Sequence, residues 1–477
     1  MTAGVPAALE PAPPPGPTLL RALGTRDGAL ITIGSIVGTG IFITTGDMAR
    51  SLPHAELLLL VWLAGGLLTL AGALTYGELG ALFPRAGGVY HFLKEAYGPV
   101  PGFLYGWACF LVIFSGGIAA LAVGFGEYLG SFVPFFSGDN VLVAVGGDRG
   151  PWVVNGRGVA AALAIVLLTA INAAGLREGA GVQNVLTAIK ILLLVGLAAL
   201  GLLLPSAATG TPVESPASAL TVSAFGVAMI GALWAYDGWY NLPMLAGEMK
   251  EPARSLPRGL ALGTAAVVLL YVLSNLFYLR ALPMSAVAGN SRIAEAAGGA
   301  VLGAGGARLV SAAVVVSTFG CLAANILAGS RIYLAMARDG LFFRSLARID
   351  PVHRVPARSL WAQSGVALVL ALSGSYEQLY TYVTFAVVLF NAATGMALFV
   401  LRRTRADLPR PYRAWGYPVV PALFVLATAG LVVNTLIERP VESGIGLALV
   451  ALGLPAYAFW RSSPIAGSTE SEVATRG

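Results

Sequence analysis

Apolar stretches of about twenty residues recur from one end of the chain to the other, and short segments carrying nearly all the arginines and acids separate them. At a rise of about 1.5 Å per residue, each stretch covers the roughly 30 Å hydrocarbon core of a bilayer as a helix. A helix satisfies its own backbone hydrogen bonds, which an isolated segment in lipid must do. No ten-residue alternation of the kind that builds a membrane barrel is visible. Of the 477 residues 57% are hydrophobic and only 11% charged, so a water-soluble fold would expose large apolar patches. The chain therefore reads as an all-α integral membrane protein whose first partner is the lipid bilayer.

Twelve transmembrane helices are expected, at 27–49, 56–83, 100–131, 157–175, 181–204, 218–248, 257–281, 307–337, 357–374, 378–401, 417–437 and 442–460. Several exceed twenty residues, which calls for tilt or extension beyond the bilayer. Residues 1–26 and 462–477 read as cytoplasmic tails. The first is rich in Pro and Ala and lacks the basic and apolar regions of a signal peptide. With the N-terminus cytoplasmic, about 21 basic residues fall on inner segments and about 7 on outer ones. Both termini are thus expected on the cytoplasmic side of the cell membrane. The net charge of +6 follows from this bias and calls for no nucleic acid.

Catalytic and metal chemistry find no foothold. The two cysteines, Cys109 and Cys321, lie inside apolar helices, and His54, His91 and His353 stand singly in connecting segments. No cofactor and no metal are expected, and no enzyme. A sensor built on a transporter-like membrane fold is the alternative from another class, although the tails leave little room for the soluble domain it would need.

Two spans are interrupted. The first, DGALITIGSIVGTGIFITTGDMA, carries glycines at 28, 34, 38, 40 and 46. The sixth, SAFGVAMIGALWAYDGWYNLPMLAGE, carries Gly226, Gly231, Gly238, Pro243 and a mid-span Asp237. Gly38 and Asp237 are about 199 positions apart, and each interruption opens a block of five spans. An odd number per block sets the two blocks in opposite orientations, the inverted-repeat arrangement of many secondary transporters. The expected division is 27–205 for the first repeat, 218–401 for the second, and 416–461 for two additional C-terminal helices. A mid-membrane break frees backbone N–H groups that attract a carboxylate and C=O groups that accept from an ammonium. An amino acid carries both groups on one carbon. Close packing through Gly34-x-x-x-Gly38 is the other use of such glycines.

At these residues the chain resembles the amino acid–polyamine–organocation superfamily, in particular its bacterial amino acid permeases and the L-type amino acid transporter branch. The resemblance rests on GSIVGTGIF (34–42), ALWAYDGWYN (232–241) and GEMKEPARSLPRG (247–259). YGELGALFPRAGGVYHFLKEAYG (76–98), SRIYLAMARDGLF (330–342) and LPRPYRAWGYPVVP (408–421) extend it in order along nearly the whole chain. It implies a LeuT-type fold, with a 5+5 inverted repeat, and alternating access around a central site. By position, the substrate carboxylate would meet the backbone N–H groups of Gly38, Thr39 and Gly40. The ammonium would meet the carbonyls of Ile36, Trp234 and Asp237, and the Trp234 ring would close over the site from outside. Asp237 has two readings: a cap on the restarting half-helix, accepting from N–H groups such as that of Tyr240, or a partner for a cationic substrate.

Lys190 belongs to neither the inner nor the outer set of basic residues: it lies inside the fifth span, about nine residues or roughly 13 Å from its inner end. The resemblance places it where sodium-coupled relatives hold an ion between the first and eighth spans. Its ammonium would meet carbonyls near Gly34 and hydroxyls such as Ser317 or Thr318, making sodium unnecessary. Proton release from it offers another source of coupling. Glu78, Glu248 and Arg331 lie near inner helix ends and read either as a closing network or as headgroup contacts. The expected function is sodium-independent transport of neutral L-amino acids, as exchanger or proton-coupled permease. A permease for cationic amino acids or polyamines is the alternative. The exact substrate and any accessory subunit stay open.

Overall fold

The computed structural model describes residues 20–52, 54–145, 152–203, 222–373 and 376–461. Most of both expected tails, Asp148 and Arg149 of the long loop, and the first residues of the expected sixth span lie outside this set.

The chain is mostly helical. Its first span is two helices, α1 (Thr25–Ile36) and α2 (Gly40–Ser51), bent by 42° across a three-residue gap. There follow α3 (Ala55–Leu82), the short amphipathic α4 (Val89–Tyr97), and one long rod made of α5 (Pro99–Ala108) and α6 (Phe114–Leu129) joined through the wider turn at Cys109–Ile113. Next come α7 (Gly156–Ala174) and α8 (Leu176–Leu203). The sixth expected span begins with α9 (Val222–Ala235) and resumes, after a turn, as the single turn α10 (Asn241–Met244). α11 (Pro252–Ala281), the single turn α12 (Met284–Val287), α13 (Ile293–Arg338), α14 (Ala357–Ser373) and α15 (Tyr376–Thr404) follow. The described chain ends with α16 (Val419–Glu438), α17 (Pro440–Ala451) and α18 (Gly453–Arg461).

Eight of these rods are long and apolar enough to cross a bilayer, and the α1–α2 pair is a ninth if counted as one bent span. Val185–Leu200, Val222–Ala235 and Ala357–Leu372 are apolar but shorter. α13 is longer than the expected 307–337 because Gly303, at φ 70°, breaks its helical path and lets the first ten residues pack back on its own rod. The fold is not wholly α. Val141–Val145 (β1) pairs antiparallel with Trp152–Asn155 (β2) in the long connection before α7. The β-branched runs VLVAV and WVVN favour a pleated ladder wherever the backbone reaches water.

Residues 20–26, assigned to the tail by the sequence, are tied down. The N–H groups of Ala22 and Leu23 donate to the Glu248 carbonyl, and Leu23 accepts from Lys250 N.

Burial locates the centre of the molecule. The most apolar stretch of the α5–α6 rod is 78% buried, against 28% for α16 and for α17–α18. α6 packs on α7, α13, α14 and α15, while α1 lies on α11 and α2 on α9. The two interrupted spans are therefore enclosed by helices.

Candidate functional site

α1 ends because Val37 turns to extended geometry (φ −74°, ψ 90°) and its N–H closes the last turn onto Ile33. The carbonyls of Gly34, Ser35, Ile36 and Val37 then have no helical donor. Side chains from three other helices serve all four. Lys190 of α8 donates its Nζ to Gly34 O at 2.9 Å and to Val37 O at 2.8 Å. The Cys321 thiol of α13 donates to Ser35 O at 2.9 Å, and the Tyr271 hydroxyl of α11 to Ile36 O at 3.1 Å. A cation at the negative end of a helix is the favourable sign, and Lys190 is fully buried there.

The second interruption spans Tyr236 to Tyr240. Gly238 stands at φ 102°, and a Cβ built on it would lie 2.6 Å from the Ser35 carbonyl oxygen. Gly40, the first residue of α2, lies so close to Ala235 that an added Cβ would run into the Ala235 Cα. Two glycines thus bring the breaks into backbone contact, and a larger side chain at either would push them apart.

Between them lies a cavity of about 20 Å³, room for about one water. Its wall includes Ile36, Gly38, Thr39, Gly40, Trp234 and Asp237, the six positions expected to bind substrate. Cys321, Asn325, Tyr240 and Phe114 also line it. The first turn of α2 opens onto it, presenting the positive end of that helix. The Trp234 ring stacks on Tyr380 of α15, with centroids 5.9 Å apart and planes 27° from parallel.

Several expected partnerships come out differently. Asp237 does not cap α10 through the Tyr240 N–H. The Tyr240 side chain does not cap that turn, and the Asp237 carboxylate accepts from the Gly238 N–H and from the Tyr240 hydroxyl, the latter at 3.0 Å. The Trp234 carbonyl already accepts from the Asp237 N–H at 3.1 Å. Both hydrogen bonds of the Lys190 ammonium go to carbonyls. The Ser317 hydroxyl points to Val37 O at 3.5 Å, and the Thr318 hydroxyl is buried without a partner.

The Glu78–Glu248–Arg331 group divides in two. Arg331 and Glu248 form a fully buried ion pair at 2.8 Å. Glu78 binds Arg402 at 2.6 Å, Arg410 at 3.4 Å and the Ala414 N–H at 2.6 Å. Sequence reasoning missed Tyr271, Cys321 and Asn325. The only available signal was a polar atom inside an otherwise apolar run, as in LLYVLSN and GCLAAN.

Known proteins are similar to this sequence over most of its length. A family model described as amino acid permease matches residues 23–452. The serine/threonine exchanger SteT of Bacillus subtilis (strain 168) is 30% identical over 442 residues, covering 92% of this chain and 96% of its own. The b(0,+)-type amino acid transporter 1 of Homo sapiens is 30% identical over 89% of this chain and 84% of its own. The human large neutral amino acids transporter small subunit 2 is 29% identical over 96% of this chain and 84% of its own.

Proposed function

The chain belongs to the amino acid permease family and is a multi-pass membrane transporter rather than an enzyme, and from that premise we propose that it moves neutral L-amino acids by alternating access without sodium, as an exchanger or a proton-coupled permease. The observation that carries the reading is the contact of the two helix breaks around one small cavity. In this reading the described helices make twelve crossings, five and five related by inversion with two more behind, and both termini face the cytoplasm. Support for the crossings comes from the eight long rods, the bent pair and the three shorter apolar helices. Support for the orientation comes from the basic inner segments.

The substrate carboxylate docks on the N–H groups at Gly38, Thr39 and Gly40, where the α2 dipole adds to the hydrogen bonds. The ammonium meets the carbonyl side, at Ile36, Trp234 and Asp237. Ile36 O and Trp234 O each hold one hydrogen bond already, and a carbonyl has a second lone pair to offer. Lys190 keeps a positive charge on the Gly34 and Val37 carbonyls, the place a sodium ion would need. The Trp234–Tyr380 stack and the Glu248–Arg331 pair are the two barriers whose alternate opening moves substrate.

A second reading, transport of cationic amino acids or polyamines, draws on the Asp237 carboxylate in the cavity wall. Counterflow of labelled amino acids in proteoliposomes, against unlabelled competitors, separates the two. Competition chiefly by neutral amino acids is expected. Competition only by lysine, arginine or polyamines would favour the second reading, and no exchange of any amino acid would remove both.

A further inference from the structure

Asp237 stands in the wall between two cavities. One is the cavity at the helix breaks. The other lies behind it among α3, α9, α15 and α16, where Thr69, Thr384, Asn391 and Thr428 line about 20 Å³ together with Asp237. That is room for about one water, with enough polar partners to hold it. Further along the same three helices α9, α15 and α16, a third cavity of about 40 Å³ is lined by Thr381, Asn434, Thr435, Glu438 and Arg439. Thr381 of one cavity and Thr384 of the other are three residues apart on α15, about 4.5 Å of rise.

The polar residues are ordered. Thr381, Thr384 and Asn391 recur at the spacing of one face of α15, and Thr428, Thr435 and Glu438 at that of one face of α16. Two membrane helices thus turn polar faces to one seam. Polar side chains are costly in such helices and usually mark a path. Two of them bond between helices, Asn391 with Tyr76 of α3 and Glu438 with Ser223 of α9, and four of the threonines bond within their own helices. The hydroxyls of Thr69, Thr384, Thr428 and Thr435 donate to carbonyls one turn back on their own helices, at 2.7–2.8 Å. Each oxygen keeps lone pairs for a water. Asn391 takes the Tyr76 hydroxyl on its Oδ1 at 2.7 Å, and Glu438 at the seam's end is exposed.

The titratable groups facing Asp237 are Tyr240 on its own segment, Tyr76 of α3, Cys109 after α5 and Cys321 of α13. They are phenols and thiols, and none of the four is a cationic side chain that would fix the carboxylate's charge. The Trp234–Tyr380 stack closes the direct way from the third cavity to the break cavity. The seam reaches Asp237 from the other side.

We propose that this seam is a water-filled proton passage from the exposed Glu438 end to Asp237, and that in each transport cycle Asp237 takes up one proton through it and releases that proton toward the break cavity. A hydronium at the Glu438 end passes its proton into the chain of waters. The last water protonates an Asp237 carboxylate oxygen, and that O–H bond breaks again when the proton leaves toward the break cavity. The proposal rests on the proton-coupled form of the function proposed above.

The test uses the full chain in proteoliposomes, a labelled mixture of the twenty amino acids, an internal pH dye, and two protocols: accumulation driven by a pH gradient, and counterflow at equal pH. Asn391→Leu and the double change Thr384→Val with Thr428→Val should each cut gradient-driven accumulation and internal acidification by at least about tenfold. Counterflow should stay near the wild-type rate, and Asn391→Gln should keep both. Gradient-driven transport unchanged in these variants would overturn the seam and leave proton coupling standing. Counterflow without any gradient-driven transport in the wild-type protein would overturn the seam and the proton-coupled form, leaving exchange. Equal loss of both activities in both variants would show a structural seam and overturn the passage. No counterflow in the wild-type protein would remove amino acid transport itself, and the passage with it.

Discussion

Lys190 and Val37 meet across the first helix break: the lysine Nζ lies 2.8 Å from the valine carbonyl oxygen, with both groups closed off from solvent. The same ammonium holds Gly34 O. Replacing Lys190 with Ala takes the donor from Gly34 O and leaves Val37 O only the long bond from Ser317, and a buried carbonyl left unmet costs about 1–3 kcal/mol. Counterflow in Lys190→Ala is expected to fall at least about tenfold while the protein still elutes as a folded species on size exclusion. A sodium gradient should not stimulate the wild-type protein. Strong sodium stimulation, or unchanged counterflow in Lys190→Ala, would sink the assigned role.

Gly238 offers a test of the contact between the breaks. Gly238→Ala meets two penalties, a left-handed φ of 102° and a Cβ 2.6 Å from Ser35 O. The conformational part alone costs about 1–2 kcal/mol. Gly98, at φ 91° with nothing within 4 Å of an added Cβ, isolates that part. Thermal melting should show Gly98→Ala mildly destabilised with normal uptake. Gly238→Ala should melt lower still and lose uptake. Equal behaviour of the two variants would mean that the breaks do not depend on close approach.

The contrast between what was legible and what was not follows the range of the interactions. The breaks at 37–39 and 236–240 could be read because glycines and a carboxylate inside apolar runs are local signals. That Lys190 needs a partner could be read because a charge in lipid must find one, but its pairing with Gly34 came only from the resemblance to the family. Tyr271 and Cys321 could not be given their partners, since a hydroxyl or thiol in an apolar helix says nothing of which carbonyl it will meet. That depends on how α11 and α13 pack on α1. Glu78 shows the same limit in reverse. Its place near an expected inner helix end suggested a network with Glu248 and Arg331 or a headgroup contact, but the carboxylate meets the segment 402–414, more than three hundred residues away. The β1–β2 pair had a local signature in its β-branched runs, short beside the membrane-length apolar stretches around it.

Glu248 and Arg331 are both fully buried, so their pair is sensitive to the loss of either charge. Removing one partner strands the other, at about 3–5 kcal/mol. Glu248→Gln and Arg331→Met should each lower the melting temperature by several degrees. The double variant should recover part of the loss, giving a coupling energy of about 0.5–3 kcal/mol in a double-mutant cycle. Additive losses would mean that the two charges do not act as a pair.

Trp234 lines the break cavity and stacks on Tyr380, so in the proposed cycle the size of the Trp234 ring sets how well the cavity is sealed. Trp234→Ala removes the stack and a buried aromatic surface. Loss of the ring pairing alone is worth about 0.5–1.5 kcal/mol, and the lost area adds to it. Half-saturation in counterflow should therefore rise about tenfold or more, while Trp234→Phe, which keeps a ring over the site, should stay near wild type. Cys321 supplies an independent readout, because its thiol lines the same cavity while Cys109 is fully buried elsewhere. A membrane-impermeant thiol reagent should label Trp234→Ala faster than the wild-type protein, and adding Cys321→Ser should abolish the increase. If labelling is equally slow in both, Trp234 is a packing residue and the barrier lies in another wall of the cavity.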